Sequence, residues 1–331
     1  MKLFRNLFLL LIVVSGSTCT LLESNEITAE ASTPVHHLVT ASFVNGKVVF
    51  NSDEDFEEAM KIGFFRIKAP ADLNLEAGRN FAKTFTSDPR YNQFGALDVV
   101  EGYRQSEIAQ ILLFCLESDN WNKCHINQQE VEGPPNYPLK VQELGYKLKE
   151  IGVQVLRALL TQFELPEELW FDATAGSALG EGSAYLVFNC YDPKIGSKLD
   201  GIAPHKDWGH VALLDCSAPG LEINIDGVWK SIYFEDGYLI VNFGYPLQKL
   251  LPGVKATEHR VPPQKEKMRT STVMFIDPRV GPYRNGITGL ENEGYIYDWD
   301  PVEKKLINGQ SAKSFFAKSS TELFGENQSR Q

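Results

Sequence analysis

Apolar positions in the first half of the chain recur with the 3.6-residue period of α-helices. Phe56, Ala59 and Met60 follow this period, and Ser52 with the three acidic residues after it predicts an N-terminal cap. The same period predicts three further helices, over Leu73–Phe85, Gln105–Leu116 and about Val141–Phe163. The last of these is the longest, and its continuous apolar face predicts a scaffold helix packed on a sheet.

Strand patterns dominate the second half of the chain. One strand is predicted earlier, in Ile62–Pro70, where apolar residues alternate up to the proline. After Trp170, short apolar or alternating runs are separated by turn residues, and they predict strands over Ser183–Asn189, His210–Leu214, Leu221–Ile225, Val228–Ile232, Tyr238–Phe243 and Thr270–Pro278. Asp226-Gly227 predicts a two-residue hairpin turn, because glycine adopts positive φ without strain. A helical N-terminal region therefore precedes an antiparallel β-sandwich or jelly roll.

Composition narrows the class of protein without naming a function. The chain has 331 residues, 43% of them hydrophobic, which predicts an ordinary globular protein with a substantial core. Its net charge of −11 and sequence pI near 5.1 leave no basic excess to neutralise phosphates. The charge therefore argues against nucleic acid and anionic membranes as partners. We also expect a monomer.

The N-terminus has the layout of a secretory signal peptide. Lys2 and Arg5 precede an apolar run over 7–14, and small residues follow, so residues 1–17 are predicted to be removed after Ser17. The run is too short to span a bilayer, and we expect no stable membrane insertion after cleavage. An uncleaved apolar helix on the domain and, less favoured, lipid modification of Cys19 are the alternatives. If the segment is not a functional leader, the protein is cytoplasmic.

The remaining four cysteines lack the short paired spacing of a zinc site. We interpret them as buried free thiols, with a Cys115–Cys124 disulfide as an alternative if the chain is exported.

The stretch "HKDWGH" carries the first candidate chemistry. In an extended segment alternate side chains share a face, so His205 and Asp207 point the same way and Lys206 points away. A third donor is supplied by His259 in "TEHRV". Two imidazoles and a carboxylate suit non-haem Fe(II) with open coordination positions. His-x-Asp also occurs in metal hydrolases and in hydrogen-bonded turns, so this pattern alone is a weak signal.

Further polar residues strengthen the metal interpretation. Arg269 and Ser271 share a strand face, and a planar guanidinium beside a hydroxyl matches a carboxylate. Asn189 and Tyr191 in "FNCYDP" also share a face. Taken singly, Arg269 is explained as a solvated strand charge and Tyr191 as a core aromatic. Their occurrence together, in this order, favours a site.

The sequence resembles the isopenicillin N synthase-like family of Fe(II)- and 2-oxoglutarate-dependent dioxygenases, from about Glu57 to Asp277. The motifs that carry the resemblance, beside the long helix, are "GFFRIKAP", "FNCYDP", "HKDWGHVALLDCSAPGLEI", "VNFGYPLQKLLPG", "TEHRV" and "RTS". The resemblance implies a mainly β fold with flanking helices, in which a double-stranded β-helix (jelly roll) core follows a helical N-terminal region. On this basis we expect a signal peptide at 1–17, an N-terminal region at 38–170, the core at 171–310, and a C-terminal helix and polar tail at 311–331.

The resemblance also implies the roles of the site residues. His205, Asp207 and His259 would hold Fe(II), while Arg269, Ser271 and Tyr191 would bind the distal carboxylate of the co-substrate 2-oxoglutarate. Asn189 would lie near the metal-chelating end of that molecule. With O2, such an enzyme oxidises a small-molecule substrate and releases succinate and CO2; hydroxylation is the default outcome, and desaturation or ring closure uses the same oxidant.

Two departures from the family pattern and two alternative functions stay open. His210 stands where many relatives have a small or aliphatic residue, and we favour a structural role over a cavity-facing one. Tyr245 and Pro246 replace an acidic residue after glycine, which predicts a reshaped turn. An iron oxidase that does not use 2-oxoglutarate is the second enzyme hypothesis. A catalytically inactive jelly-roll binding protein is the third, and the intact donor set argues against it.

Overall fold

The computed structural model describes residues 33–44, 47–89, 102–105, 110–115, 123–126, 129–132, 138–194, 201–264, 267–278, 294–312 and 314–315. Between 102 and 132 only the backbone of these residues is described. The strands are β1 Val35–His36, β2 Thr40–Val44, β3 Lys47–Phe50, β4 Phe64–Lys68, β5 Gly102–Gln105, β6 Gln110–Cys115, β7 Lys123–Ile126, β8 Gln129–Glu132, β9 Ser183–Tyr191, β10 Ile202–His205, β11 Val211–Cys216, β12 Glu222–Ile225, β13 Val228–Ile232, β14 Tyr238–Phe243, β15 His259–Val261, β16 Arg269–Asp277, β17 Tyr295–Asp300 and β18 Lys305–Ser311.

The helices are α1 Asp53–Ile62, α2 Leu75–Thr84, α3 Leu139–Gln162, α4 Trp170–Ala173 and α5 Tyr245–Leu250, with 3-10 turns at Phe85–Ser87, Glu167–Leu169 and Ser177–Leu179. The predicted signal peptide lies outside the described residues, as does the chain beyond 315. No helix of the described part combines the length and apolar character needed to cross a bilayer.

Strands β9 to β16 form a jelly roll of two facing sheets. The larger sheet contains β14, β11, β16 and β9 side by side, and the smaller contains β13, β12, β15 and β10. Successive strands between β9 and β16 cross from one sheet to the other, except at the β12–β13 hairpin. This is the double-stranded β-helix that the sequence predicted, and the predicted fold class is confirmed.

The hairpin between β12 and β13 has the predicted turn. Asp226 and Gly227 have φ of 52° and 84°, so both central residues occupy the left-handed region. Two positive φ values define the turn type whose twist matches that of the flanking strands. Ile225 and Val228 are therefore paired directly across the turn.

The N-terminal region adds strands to the larger sheet. At one edge β4 pairs with β14, and the sheet continues through β2 to β3. At the other edge β6 pairs with β9, and β5 pairs with β6. The prediction of a helix over Gln105–Leu116 is therefore wrong: Gln110–Cys115 pairs residue by residue with β9. A short apolar run has no periodicity that separates a strand from a buried helix, and the open edge of β9 decides the outcome.

The other predicted helices are present with small changes of bounds. The Ser52 hydroxyl accepts a hydrogen bond from the Asp55 amide at 3.2 Å and caps α1 as predicted. Helix α3 packs across β11 and β16. At Gly152 a Cβ would approach the Ile276 side chain to 2.6 Å, so the absent side chain lets α3 approach the sheet closely.

The larger sheet therefore has two different faces. Val211 and Leu213 belong to the apolar core under the helices, whereas Ala212 and Leu214 belong to the core between the two sheets. We call the space between the two sheets the jelly-roll interior. It also contains most of the predicted site residues.

Candidate functional site

The two predicted metal-ligating histidines lie side by side on the smaller sheet. His205 is the last residue of β10, His259 is the first of β15, and the two are cross-strand partners. Asp207 follows two residues after His205, and its Oδ1 lies 3.5 Å from Nε2 of each histidine. The ligand atoms of all three residues lie within 4.8 Å of one another. Three donors that are separate in the sequence thus converge on one point.

Backbone carbonyl groups orient both imidazoles. Nδ1 of His205 lies 2.9 Å from the carbonyl oxygen of Ala203, and Nδ1 of His259 lies 3.2 Å from that of Thr257. A carbonyl only accepts, so each Nδ1 carries the proton and donates it. Each Nε2 then presents its lone pair to the shared point, which is the arrangement that metal-ligating histidines use.

A residue that the sequence interpretation missed orients the carboxylate. The amide of Asn242, fully buried on β14, donates a short hydrogen bond to Oδ2 of Asp207. Oδ1 is left facing the histidines. Burial would raise the pKa of Asp207, but the neighbouring imidazoles hold that pKa well below its ordinary value. The carboxylate is therefore ionised and available as a ligand.

The same coupling acts on His259. Burial lowers the pKa of His259, but the Asp207 carboxylate more than offsets this and the net direction is upward. A buried negative carboxylate beside two imidazoles attracts a positive charge to their shared point. Two histidines and one carboxylate with room for further ligands are the donor set that suits Fe(II), so these residues fit that ion.

A second polar cluster lies in the jelly-roll interior at the start of β16. Arg269 is 2% exposed, and its Nη1 has no hydrogen-bond partner among the described residues. Nη2 donates to Sγ of Cys216 at 3.0 Å, and the guanidinium lies 5.1 Å from the Tyr191 ring centroid. No described carboxylate forms a salt bridge with Arg269. A buried cation without a counter-ion is costly, so the arrangement favours a bound anion.

Tyr191, Ser271 and Asn189 surround this guanidinium. Tyr191 lies opposite Arg269 in the sheet, and Ser271 lies opposite Asn189, whose amide donates to the Ser271 hydroxyl at 3.1 Å. Burial raises the pKa of Tyr191 to about 12, so its hydroxyl stays protonated and can donate. We call Arg269, Ser271 and Tyr191 the anion clamp.

A glycine makes room for the clamp. Gly220 has φ of +133°, and a Cβ there would approach Cδ of Arg269 to 3.1 Å and its Nε to 3.2 Å. Both the backbone conformation and the contact favour the absence of a side chain. The arginine is thereby packed from behind by backbone.

The structure thus brings the three predicted metal ligands together, and it brings the residues of the anion clamp together. The roles assigned to them remain predictions. Asn189 lies beside Ser271, and its place near the metal-chelating end of a co-substrate is untested. Asn242 stands out in the sequence as the one amide in an otherwise apolar strand, which is a signal that could have revealed it. Cys216 offered no such signal.

The two departures from the family pattern have structural consequences. His210 is fully buried and its backbone amide bonds the Ile276 carbonyl, while neither ring nitrogen has a partner among the described residues. Burial lowers the pKa of His210 to about 3, so the ring is neutral. Tyr245 begins α5 after Gly244, and its amide donates to the Asp207 carbonyl at 2.8 Å. The helix start therefore supports the segment that carries Asp207.

The described cysteine side chains agree with the prediction of buried free thiols. Cys190 and Cys216 are both buried and unpaired. Cys115 and Cys124 lie on β6 and β7, where side chains are outside the description, so their pairing stays a prediction.

Comparison with known families finds a similarity over the part of the chain that carries this site. Residues 183–278 match the family model of the 2OG-Fe(II) oxygenase superfamily. This segment contains all of the predicted metal ligands and the whole anion clamp. The resemblance to the Fe(II)- and 2-oxoglutarate-dependent oxygenases is therefore confirmed.

Curated relatives agree over part of their length. The chain is 30% identical over 150 residues to "Jasmonate-induced oxygenase 2" of Arabidopsis thaliana, which covers 44% of this chain and 40% of that protein. It is also 30% identical over 186 residues to "Probable flavonol synthase 5" of the same plant, covering 53% and 56%. The chain thus spans about half the length of these relatives.

Solved structures show the same fold. A structure of JOX2 in complex with 2OG, Fe and JA superposes with a TM-score of 0.62 at 19% identity, over 93% of this chain and 92% of that one. A putative 2OG-Fe(II) oxygenase family protein from Caulobacter crescentus gives a TM-score of 0.61 at 22% identity, over 86% and 98%. At these identities the similarity shows the fold alone.

Proposed function

We propose that this protein is an Fe(II)- and 2-oxoglutarate-dependent oxygenase that hydroxylates a small molecule, with release of succinate and CO2. One observation carries the proposal: a convergent His205, Asp207 and His259 set shares the jelly-roll interior with the guanidinium of Arg269, whose Nη1 has no partner among the described residues. The first set suits a ferrous ion and the second suits a carboxylate. 2-Oxoglutarate is a molecule that needs both at once, because it chelates iron at one end and carries a free carboxylate at the other.

Register in the larger sheet supports a shared ligand. Ser271 and Phe275 are on the same face of β16, and the row that contains Phe275 also contains Ala212 and Asn242. Four residues of strand separate Ser271 of the anion clamp from the row whose Asn242 donates to Asp207, or roughly 13 Å between backbones. A diacid held by both groups of residues would lie along β16 within that span.

The chain's own residues act by holding and orienting. His205, Asp207 and His259 would hold the ion. The hydrogen bonds made by the two Nδ1–H groups and by the Asn242 amide would keep the three ligand atoms directed toward it. When bound, iron with 2-oxoglutarate and O2 supplies the oxidant that removes hydrogen from a substrate C–H bond. The protein therefore contributes position and exclusion of water rather than a proton-transfer group.

The anion clamp would select the co-substrate. Arg269 supplies a planar pair of donors, and Ser271 and Tyr191 add hydroxyl donors that remain protonated at neutral pH. Apolar residues around the clamp keep the local dielectric low, which strengthens each of these hydrogen bonds.

A spectroscopic titration tests the proposal. Anaerobic Fe(II)-loaded protein mixed with 2-oxoglutarate should develop a weak visible charge-transfer band, and admission of O2 with a turned-over substrate should release succinate. A folded, iron-loaded protein that gives no band would rule the proposal out. A protein that consumes O2 with substrate but shows no 2-oxoglutarate requirement would be an oxidase of the alternative kind.

We also propose that the chain is exported, on the pattern of Lys2, Arg5 and the apolar run over 7–14. N-terminal sequencing of the protein purified from its native host should find a start near Thr18. An intact Met1 would contradict cleavage.

A further inference from the structure

Cys216 lies against the anion clamp but belongs to none of the motifs that define it. It is the last residue of β11, opposite Ser271 of β16, and Ser271 is in turn opposite Asn189 of β9. Directly opposed residues share a face of the sheet, so the three side chains form one row in the jelly-roll interior. Cys216 is 5% exposed, and its Sγ lies 3.0 Å from Nη2 of Arg269.

A small cleft lies beside the thiol. Cys216 forms part of the wall of this cleft, which has room for about one water molecule and opens to solvent. Tyr238 and Ile240 of β14 also line this cleft, and the Arg66–Glu235 ion pair at 2.7 Å stands at its rim. Because β11 lies between β14 and β16 in the sheet, the Cys216 side chain lies between this cleft and the Arg269 guanidinium.

We propose that Cys216 is a specificity residue of the co-substrate site, and that its side chain sets the length of the dicarboxylic acid that the anion clamp accepts. This inference rests on the proposed function. With Sγ in place, the guanidinium cannot move toward the cleft, and the anion clamp is held at the reach of a five-carbon 2-oxo diacid. Without Sγ, the guanidinium gains room to move back, and the site should accept 2-oxoadipate, which is longer by one methylene.

The expected size of the effect follows from the cost of one methylene. In a fitted pocket, one extra or missing methylene changes binding about 10–200-fold. The wild-type protein should therefore bind 2-oxoglutarate more tightly than 2-oxoadipate by a factor in this range. The Cys216→Ala variant should reduce that ratio by at least about tenfold, whereas Cys216→Val, which fills the space without a thiol, should preserve it.

The experiment measures the dissociation constants of both diacids with the anaerobic Fe(II) protein. Binding is monitored through the charge-transfer band or through quenching of intrinsic fluorescence. Cys190→Ala is the matched control, because Cys190 is also a buried free thiol but belongs to the core on the helix side of the sheet. This control should leave the ratio of the two dissociation constants unchanged.

The outcomes separate the two proposals. Wild-type protein that binds neither diacid overturns both. Wild-type protein that prefers 2-oxoglutarate, together with a Cys216→Ala variant whose ratio is unchanged, overturns the role of Cys216 and leaves the oxygenase proposal standing. A Cys216→Val variant that loses discrimination as fully as Cys216→Ala overturns the role of side-chain volume.

A second measurement needs no variant. Alkylation of the wild-type protein, read by mass spectrometry at each cysteine, should be slowed at Cys216 by saturating 2-oxoglutarate with Fe(II) under argon. Cys190 reports general stabilisation of the fold in the same sample. Equal protection of both cysteines would contradict a place for Cys216 beside the co-substrate.

Discussion

Two arginines on opposite faces of the larger sheet, the partly buried Arg79 and the buried Arg269, differ in how their charge is balanced. Arg79 of α2 lies on the helix side, where it donates to both carboxylate oxygens of Asp215 at 2.8 and 2.6 Å and to Asp236 at 2.7 Å. Arg269 lies in the interior, and none of the described carboxylates pairs with it. Both arginines contact adjacent residues of β11, because Asp215 and Cys216 point to opposite faces of that strand.

The difference distinguishes an arginine that stabilises the fold from an arginine that is suited to bind a ligand. Burial opposes the charge on Arg79, but its two aspartates raise its pKa above the ordinary value. The ion pair is complete without any ligand and joins α2 to the sheet. Arg269 has its aromatic, hydroxyl and thiol neighbours but lacks a neutralising charge, and a dianionic ligand would supply it.

The largest expected effect is the loss of iron when Asp207 is replaced. Asp207→Ala should abolish iron retention, because it removes the only carboxylate of the predicted ligand set. Metal content after desalting an Fe(II)-loaded sample measures this. Asp215→Asn is the matched control, since it alters an aspartate on the opposite face and should retain iron in its folded fraction. Equal iron occupancy in the wild-type protein and Asp207→Ala would disprove the triad.

The Asp215→Asn variant should be the one that loses stability. Removing one partner of a buried ion pair leaves Arg79 partly unpaired, and we expect a loss of about 3 kcal/mol in the free energy of unfolding. Urea unfolding of the apoprotein measures it. A change no larger than that of an exposed pair such as Lys147–Asp72 would show that the buried pair has no structural role.

Arg269→Leu should weaken 2-oxoglutarate binding and leave stability nearly unchanged. The free energy of unfolding of the apoprotein should change by less than about 1 kcal/mol, because no carboxylate is left unpaired. The dissociation constant for 2-oxoglutarate should rise about a hundredfold, which corresponds to the loss of about 2.7 kcal/mol in charge-assisted hydrogen bonds. Iron content should be unchanged. If Arg269→Leu lowered the free energy of unfolding as much as Asp215→Asn and left the dissociation constant for 2-oxoglutarate unaltered, Arg269 would have a structural role instead.

The smallest effect is expected at Asn242. Asn242→Leu removes the hydrogen bond that orients Asp207, and loss of such a partner costs about 10–100-fold in metal affinity. Competition with a chelator under argon measures the affinity, with Cys190→Ala as a control on the same sheet. An unaltered affinity would show that the backbone alone orients the carboxylate.

Local patterns in the sequence were sufficient for many elements. The cap at Ser52, the hairpin at Asp226-Gly227 and the apolar face of α3 each depend on residues within a few positions of one another. The motif order also nominated the metal ligands and the anion clamp, because the spacing along extended strands shows which side chains share a face.

Contacts between distant segments decided the rest. Gln110–Cys115 became a strand because β9 offered an open edge, a fact that no local window contains. Asn242 reaches Asp207, and Cys216 reaches Arg269, only because sheet register places them together across 35 and 53 residues. The sequence likewise does not show that Arg79 pairs with aspartates while Arg269 has no counter-ion among the described residues, since the energy of a buried charge depends on which groups the fold sets beside it.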